Sequence, residues 1–156
     1  MPGKIRTLIV DDEPLARRNL RVLLERDSQI EILEECRNGR EAVRAINTLS
    51  PDLIFLDIQM PEMDGFDVLA HVGPEHIQAI IFVTAFDQYA LKAFDVHALD
   101  YLLKPFDDER FARALDRAKS QIAAREINQL SGRLLALLEE RESERTGSKR
   151  ESTYLT

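Results

Sequence analysis

Acidic side chains follow two apolar runs in this sequence. Asp11, Asp12 and Glu13 come directly after IRTLIV, and Asp57 comes directly after LIFL. Taken alone, an aspartate after a buried strand is most often a turn or cap residue. Carboxylates that meet at one place repel one another and raise each other's pKa unless a cation neutralises them. If these residues converge, they would therefore suit a hard divalent cation, because oxygen is the ligand type they offer.

A hydroxyl and an ammonium group follow two later runs. Thr84 closes AIIFVT, and Lys104 follows LDYLL. With a cation on one side and the Lys104 ammonium on the other, the site would suit a phosphoryl group, whose transfer depends mainly on positioning and charge neutralisation. A carboxylate can act as the nucleophile and form an aspartyl-phosphate. Asp57 is the central carboxylate and the best candidate, and the Thr84 hydroxyl could hydrogen-bond a phosphoryl oxygen.

The elements that would bring these residues together follow from the hydrophobic pattern. Five short apolar runs are typical of strands, at residues 5–10, 30–35, 53–56, 79–84 and 99–103. Helix-period stretches separate them, which predicts an α/β fold with a doubly wound, five-stranded parallel sheet. In such sheets, functional groups gather outside the carboxyl ends of the strands, where the acidic residues, Thr84 and Lys104 would all lie.

Composition excludes several classes of function. The chain has 156 residues and a formal net charge of −7, so it is a poor binder of nucleic acid or anionic membranes by itself. Its single cysteine, Cys36, allows neither a disulfide framework nor a cysteine metal site within the chain. No apolar stretch approaches the length of a membrane span. We therefore expect a cytoplasmic protein with one main domain.

At these residues the sequence resembles the receiver domain of two-component response regulators. The segments LIVDDEP, DLIFLDIQMPEMDGFDVL, IIFVTAFD and LDYLLKPF match the family's motifs in order and spacing. The resemblance implies a flavodoxin-like sheet in the order 2-1-3-4-5 within a domain at residues 1–122. It also implies that Asp57 takes a phosphoryl group from a sensor histidine kinase or a small phosphodonor, as an acceptor rather than a turnover enzyme.

The resemblance assigns further roles, beginning with a Mg²⁺ cofactor. Its ligands would be Asp12, Asp57 and the backbone carbonyl of Gln59, with Asp11 acting through water. Lys104 would contact the phosphoryl group, through a segment in which the Lys104–Pro105 peptide bond is cis, as a proline permits.

Thr84 and Tyr101 match the family's switch pair. The phosphoryl group would draw the Thr84 hydroxyl inward and vacate space for the Tyr101 ring. Gln59 and Phe86 match positions that tune the lifetime of the phosphorylated state. Because a bulky Phe86 would hinder hydrolytic water, we expect a fairly long-lived phosphoaspartate.

Three other functions would also use acidic residues or this fold. A Mg²⁺-dependent phosphohydrolase usually carries a second aspartate two positions after its nucleophile, where Gln59 stands here. A nucleotide-binding protein would have a glycine-rich loop after its first strand, where DDEP stands. A receiver-shaped interaction module that never takes phosphate stays open as the alternative, although it leaves the acidic set, Thr84 and Lys104 unexplained.

The stretch from Thr84 to Asp107 further resembles receivers of the LytTR class, whose output is a C-terminal, β-rich DNA-binding domain. Within it, residues 88–94 predict an amphipathic helix. Contact with DNA would then require an output domain that is absent from these residues. No feature identifies the cognate kinase or the regulated genes.

The last segment predicts a helical extension at residues 123–145, followed by a linker at 146–156. Ile127, Leu130, Leu134 and Leu137 follow the a-d-a-d spacing of a heptad repeat. A short coiled coil and a helix lying on the receiver's own surface are both open interpretations. A homodimer would use either this extension or the face formed by residues 88–94. The sequence is compatible with a fragment that ends before its output domain and with a natural single-domain regulator.

Overall fold

Five strands form one parallel sheet in the order β2-β1-β3-β4-β5, so the predicted topology is confirmed. The structure is a computed structural model that describes residues 3–73, 76–89, 93 and 98–146. The strands are β1 (Ile5–Val10), β2 (Ile30–Cys36), β3 (Leu53–Leu56), β4 (Ala79–Thr84) and β5 (Asp100–Leu103). The predicted runs agree with them to within one residue at each end.

Helices connect the strands and begin where the local sequence favours it. They are α1 (Pro14–Glu25), α2 (Gly39–Leu49), α3 (Gly65–Val72) and α4 (Asp108–Thr146), with a 3₁₀ turn at Asp87–Tyr89. Pro14 occupies the first turn of α1, where a missing N–H is harmless. The Asn38 side chain accepts the Glu41 N–H at the start of α2. The helix predicted at residues 88–94 falls mostly outside the described part of the chain.

Helices cover both faces of the sheet and create two apolar layers. On one face, α2 and α3 pack over β-strand residues such as Leu8 and Phe82. On the other face, α1 and the first part of α4 pack over residues such as Ile9 and Phe55. Alternate residues of the strands therefore serve opposite layers, as the nearly unbroken apolar runs predict. This double covering leaves the carboxyl ends of the strands as the edge where polar groups can meet.

The chain divides into two compact units, Met1–Ile122 and Ala123–Thr156. Helix α4 contributes its first turns to the first unit and residues 123–146 to the second. The extended C-terminal helix expected from the sequence is thus present. The linker predicted at 146–156 lies outside the described residues from 147 onward. Among the described helices, none is long and apolar enough to cross a membrane.

Gly65 is required where α3 begins, because its backbone touches the end of β3. Its N–H donates to the Ile58 carbonyl at 2.8 Å. A Cβ atom at this position would lie 2.7 Å from the Asp57 carbonyl oxygen and 3.1 Å from the Ile58 Cα. Backbone atoms cannot rotate away as a flexible side chain can. A larger residue would therefore push α3 away from the segment that carries Asp57.

We expect Gly65→Ala to lower the free energy of unfolding by roughly 1–3 kcal/mol, because overpacking forces the backbone to shift. Thermal denaturation followed by circular dichroism would measure the change. Gly132→Ala is the matched control, because a Cβ there meets no atom within 4 Å. Alanine should favour the helix at position 132 by up to about 1 kcal/mol. An unchanged stability for Gly65→Ala would contradict the close approach.

Candidate functional site

The ends of β1 and β3 bring the predicted acidic residues together. These strands are neighbours in register, with Val10 opposite Leu56, and the Asp57 N–H donates to the Val10 carbonyl at 2.9 Å. Carboxylate oxygens from the four residues of the group lie within 4.8 Å of one another: Asp11, Asp12, Glu13 and Asp57. Asp11 is fully buried and Asp57 is only 4% exposed. The cluster therefore concentrates negative charge where water screens it poorly.

Lys104 supplies the positive charge that faces this cluster. Its ammonium group donates to the Asp11 carboxylate at 2.7 Å and lies 3.9 Å from the Asp57 carboxylate and 3.4 Å from that of Glu13. Burial opposes the charged form of Lys104, but the hydrogen bond to Asp11 and the nearby carboxylates outweigh it and raise the pKa. The ammonium stays charged. The peptide bond from Lys104 to Pro105 is cis, the isomer that the family resemblance implies.

Asp57 is the residue whose titration is most disturbed. Burial raises its pKa to about 7, and the charge of Asp11 adds to the shift, while Lys104 and the Gln59 N–H oppose it. The Gln59 N–H donates to the Asp57 carboxylate at 3.3 Å. A carboxyl group with such a pKa is only partly ionised at neutral pH. A cation bound beside Asp57 would favour the ionised form, which is the nucleophilic one.

The buried Thr84 hydroxyl has no hydrogen-bond partner among the described residues. Thr84 lies at the end of β4, the neighbour of β3, and its carbonyl accepts the Lys104 N–H at 2.8 Å. A buried hydroxyl without a partner is costly, and native structures usually satisfy such groups. Its position beside the acidic cluster is the one expected for a hydroxyl that binds an anionic ligand.

Tyr101, the predicted partner of Thr84 in the switch, contacts Phe86, one of the two predicted lifetime-tuning residues. The Tyr101 hydroxyl donates to the Phe86 backbone carbonyl, in the segment just after β4. The Tyr101 ring is half-buried and packs against the apolar layer under α2 and α3, whereas the Phe86 side chain is 40% exposed. The structure thus links Tyr101 to the segment that follows Thr84.

A divalent cation fits the donor set of this cluster. The side-chain ligands present are carboxylate oxygens, which Mg²⁺ prefers. Burial, and after it the charge of Asp11, raises the pKa of Asp57, and a cation bound there would offset both effects. Of the predicted ligands, Asp11, Asp12 and Asp57 come together. Gln59 contacts Asp57 through its N–H, and its side chain is exposed.

Sequence reasoning missed Arg17, which steadies the cluster from α1. Its guanidinium donates to the Asp11 backbone carbonyl at 2.7 Å and lies 4.0 Å from the Glu35 carboxylate. The Arg21 guanidinium also contacts the Glu35 carboxylate, at 2.7 Å. An arginine on an amphipathic helix is normally read as a solvated residue, so the sequence carried no clear signal for this contact. It also missed Gly65, for which the Asp64-Gly65 pair was a visible turn signal.

The chain belongs to the response regulator receiver domain family, whose sequence model matches residues 7–116. The transcriptional regulatory protein BtsR of Escherichia coli (strain K12) is 50% identical over 126 residues, which are 81% of this chain and 53% of that protein. BtsR of Salmonella typhi is 49% identical over the same shares of both chains. The chain therefore spans about half the length of the curated relatives it matches.

Solved receiver structures share the fold. The response regulatory domain of protein mrkE from Klebsiella pneumoniae matches with a TM-score of 0.71 and 31% identity, over 76% of this chain and 98% of that one. The receiver domain of the putative response regulator NarL from Mycobacterium tuberculosis matches with a TM-score of 0.67 and 31% identity, over the same shares. The flavodoxin-like receiver fold expected from the sequence is thus confirmed.

The buried Asp57 carboxylate should make stability depend on pH. Its pKa of about 7 in the folded chain exceeds the ordinary value of 3.8, so the folded state binds the proton more tightly. Its contribution to stability is therefore full below about pH 4 and is lost as pH rises toward 7. In EDTA, Asp57→Asn should raise the free energy of unfolding at pH 8 by on the order of 2 kcal/mol, and by much less at pH 5.

Chemical denaturation of both proteins across this pH range would measure the difference. Asp116→Asn is the matched control, because it removes an exposed carboxylate from α4. A constant difference between wild type and Asp57→Asn at all pH values would contradict the assignment of the raised pKa.

Proposed function

We propose that this chain is a phosphorylation-dependent signalling switch in which Asp57 accepts a phosphoryl group from a sensor histidine kinase. In this proposal the chain is a phosphoryl acceptor with its own phosphorylation and dephosphorylation chemistry, not a turnover enzyme. The observation that carries the proposal is the buried Thr84 hydroxyl, which has no hydrogen-bond partner among the described residues and ends the strand next to β3, together with the Asp57–Lys104 pair. Together these three groups form a nucleophile, a cationic contact and a hydrogen-bond donor for one phosphoryl group.

The chemistry is an in-line displacement at phosphorus. An oxygen of the Asp57 carboxylate attacks, and an acyl-phosphate O–P bond forms. The P–N bond to the donor histidine breaks, and the electron pair leaves with the imidazole nitrogen, which takes a proton from solvent. Lys104, 3.9 Å from the Asp57 carboxylate, would contact a phosphoryl oxygen and offset its charge. Because phosphoryl transfer depends mostly on positioning and charge, these contacts supply what the reaction needs.

The residues that would hold Mg²⁺ are Asp12, Asp57 and the backbone carbonyl of Gln59, with Asp11 acting through water. Once bound, the ion would neutralise charge on the carboxylates and the phosphoryl oxygens. Asp11 meanwhile keeps its hydrogen bond to Lys104 at 2.7 Å and so orients the ammonium group. Burial supports these separate roles. Asp11 is buried and less accessible to an ion, whereas Asp12 is half-buried and more accessible.

The output of the switch would pass through Thr84 and Tyr101. A phosphoryl oxygen would accept the Thr84 hydroxyl, which otherwise lacks a partner among the described residues. The Tyr101 hydroxyl, now bound to the Phe86 carbonyl, would be released as the segment after β4 moves toward Asp57. The ring could then occupy the space beside Thr84. A local contact would thus bias a two-state element near β5.

We propose that the switch controls a C-terminal output domain in transcription regulation, of the LytTR DNA-binding class. Support comes from relatives that are named transcriptional regulators and are about twice as long as this chain. The partners would be a histidine kinase and a second copy of the chain, with DNA bound only through the output domain. The reading frame after Thr156 tests the class, because a helical DNA-binding module there would exclude LytTR.

We expect acetyl phosphate with Mg²⁺ to add one phosphoryl group to the wild-type chain and none to Asp57→Asn. Intact-mass spectrometry would detect the adduct, and EDTA should abolish it by removing the charge compensation in the acidic cluster. Asp52→Asn is the matched control, because Asp52 precedes β3 whereas Asp57 follows it. That variant should still be phosphorylated.

No adduct on wild type would favour the alternative, a phosphate-independent receiver-like interaction module. An adduct that survives in Asp57→Asn would leave the family assignment intact but place the acceptor elsewhere.

We expect the phosphoaspartate to be fairly long-lived, because the Phe86 side chain would hinder hydrolytic water near the acyl phosphate. Phe86→Ala should shorten its half-life several-fold, and the time course of adduct loss after removal of acetyl phosphate would measure it. Phe106→Ala serves as the aromatic control on the other face of the sheet. Loss of the wild-type adduct within seconds would contradict the expectation, as would equal half-lives for wild type and Phe86→Ala.

A further inference from the structure

The described part of α4 in the second unit carries a face of large, exposed apolar side chains. Each of the six is between 53% and 62% exposed: Ile127, Leu130, Leu134, Leu135, Leu137 and Leu138. Six such side chains present on the order of 600 Å² of apolar area, at the upper limit of what a monomer usually exposes. A face of this size and continuity indicates an interaction surface.

The spacing of the apolar residues within this face is typical of a helix that packs along another helix. Ile127, Leu130, Leu134 and Leu137 alternate by three and four residues, which is the 3.5-residue period of a helix that packs along another helix. We call these four residues the seam. The seam has isoleucine at its first a position and leucine at its second, and the pairing of a β-branched a residue with leucine at both d positions favours a two-stranded assembly.

We propose that a second copy of this chain pairs with the first through the seam as a short parallel coiled coil. Burial of the seam and its flanking residue Leu138 in both copies would remove on the order of 1,000 Å² from water, which is below the size of most stable interfaces and predicts a weak, reversible, concentration-dependent dimer. Pairing also explains how a helix with Gly132 in its exposed interior is stabilised, since isolated helices are marginal in water. This inference specifies the homodimer of the proposed function but does not depend on phosphorylation.

The charges beside the seam determine the orientation. The g positions of the heptads hold Glu126, Arg133 and Glu140, all exposed. In an antiparallel pair, g residues face g residues, so Arg133 would meet its own copy and Glu126 would meet Glu140. Like charges in such contacts are destabilising. In a parallel pair, g residues face e residues, which here are Ser131 and Leu138, so the repulsion is avoided.

Sedimentation analysis of the unphosphorylated 156-residue chain over a range of concentrations tests the pairing. Wild type should dimerise reversibly, and Leu134→Ala should weaken association by about tenfold or more, because each dimer loses two buried leucines. Leu135→Ala is the matched control, because Leu135 is its chain neighbour, equally exposed, and lies outside the seam. It should change association by less than about twofold, since it leaves the seam packing intact.

Oxidative cross-linking tests the orientation. Leu137→Cys should form a disulfide with its own copy, since parallel chains place identical residues side by side. Leu135→Cys should not. Cys36 is fully buried and gives a low background.

Three results would overturn the proposal. The first is a wild-type chain that stays monomeric at high micromolar concentration. The second is equal weakening by Leu134→Ala and Leu135→Ala, which would mean that a broad face, not the seam, makes the contact. The third is a dimer that forms only after phosphorylation and is lost in Asp57→Asn, which would assign dimerisation to the region near residues 88–94. Because unphosphorylated protein is used, failure here leaves the phosphoacceptor proposal standing.

Discussion

The hydrogen bond between the Lys104 ammonium and the Asp11 carboxylate, 2.7 Å long, is the interaction on which the rest of the site depends. It joins the end of β1 to the segment after β5, which lie on opposite sides of β3 and β4. Without this positive charge, the buried carboxylates of Asp11 and Asp57 would face each other unscreened. Buried charges are tolerated only when they are paired, so the lysine is a condition for the acidic cluster to exist.

One lysine does not fully offset the burial of Asp57 and the charge of Asp11, so the pKa of Asp57 stays raised. Asp57 has a pKa of about 7, so its carboxylate form is destabilising and a bound cation would stabilise it. Strongly shifted pKa values of this kind are common at binding and catalytic sites. The surrounding structure holds the buried carboxylates in place through residues that would not themselves contact a phosphoryl group. Arg17 holds the Asp11 main chain, and Gly65 lets α3 begin directly against the Asp57 carbonyl.

The second unit follows a different physical principle. Its helix has no apolar layer of its own to cover, and its large side chains stand 53–62% exposed. In the receiver unit the chain satisfies its apolar faces internally, through two layers on one sheet. In the helical extension, the large apolar side chains are exposed, and this is the basis for the proposed pairing with a second copy. In the proposed arrangement, the receiver unit folds without a partner, whereas association through the helix depends on protein concentration.

The sequence pattern alone determined the five strands, their parallel arrangement and the acidic set with Thr84 and Lys104, whereas the strand order and the roles of Gln59, Phe86 and Tyr101 came from the family resemblance. Apolar runs of fixed length with Asp57, Thr84 and Lys104 at their ends are local features, and parallel topology carries them to one edge. The Lys104–Asp11 distance, the unpartnered Thr84 hydroxyl and the raised pKa of Asp57 were decided by tertiary structure. All three features depend on groups that are far apart in sequence and on burial created by packing. Long-range contacts and burial cannot be read from a local sequence pattern.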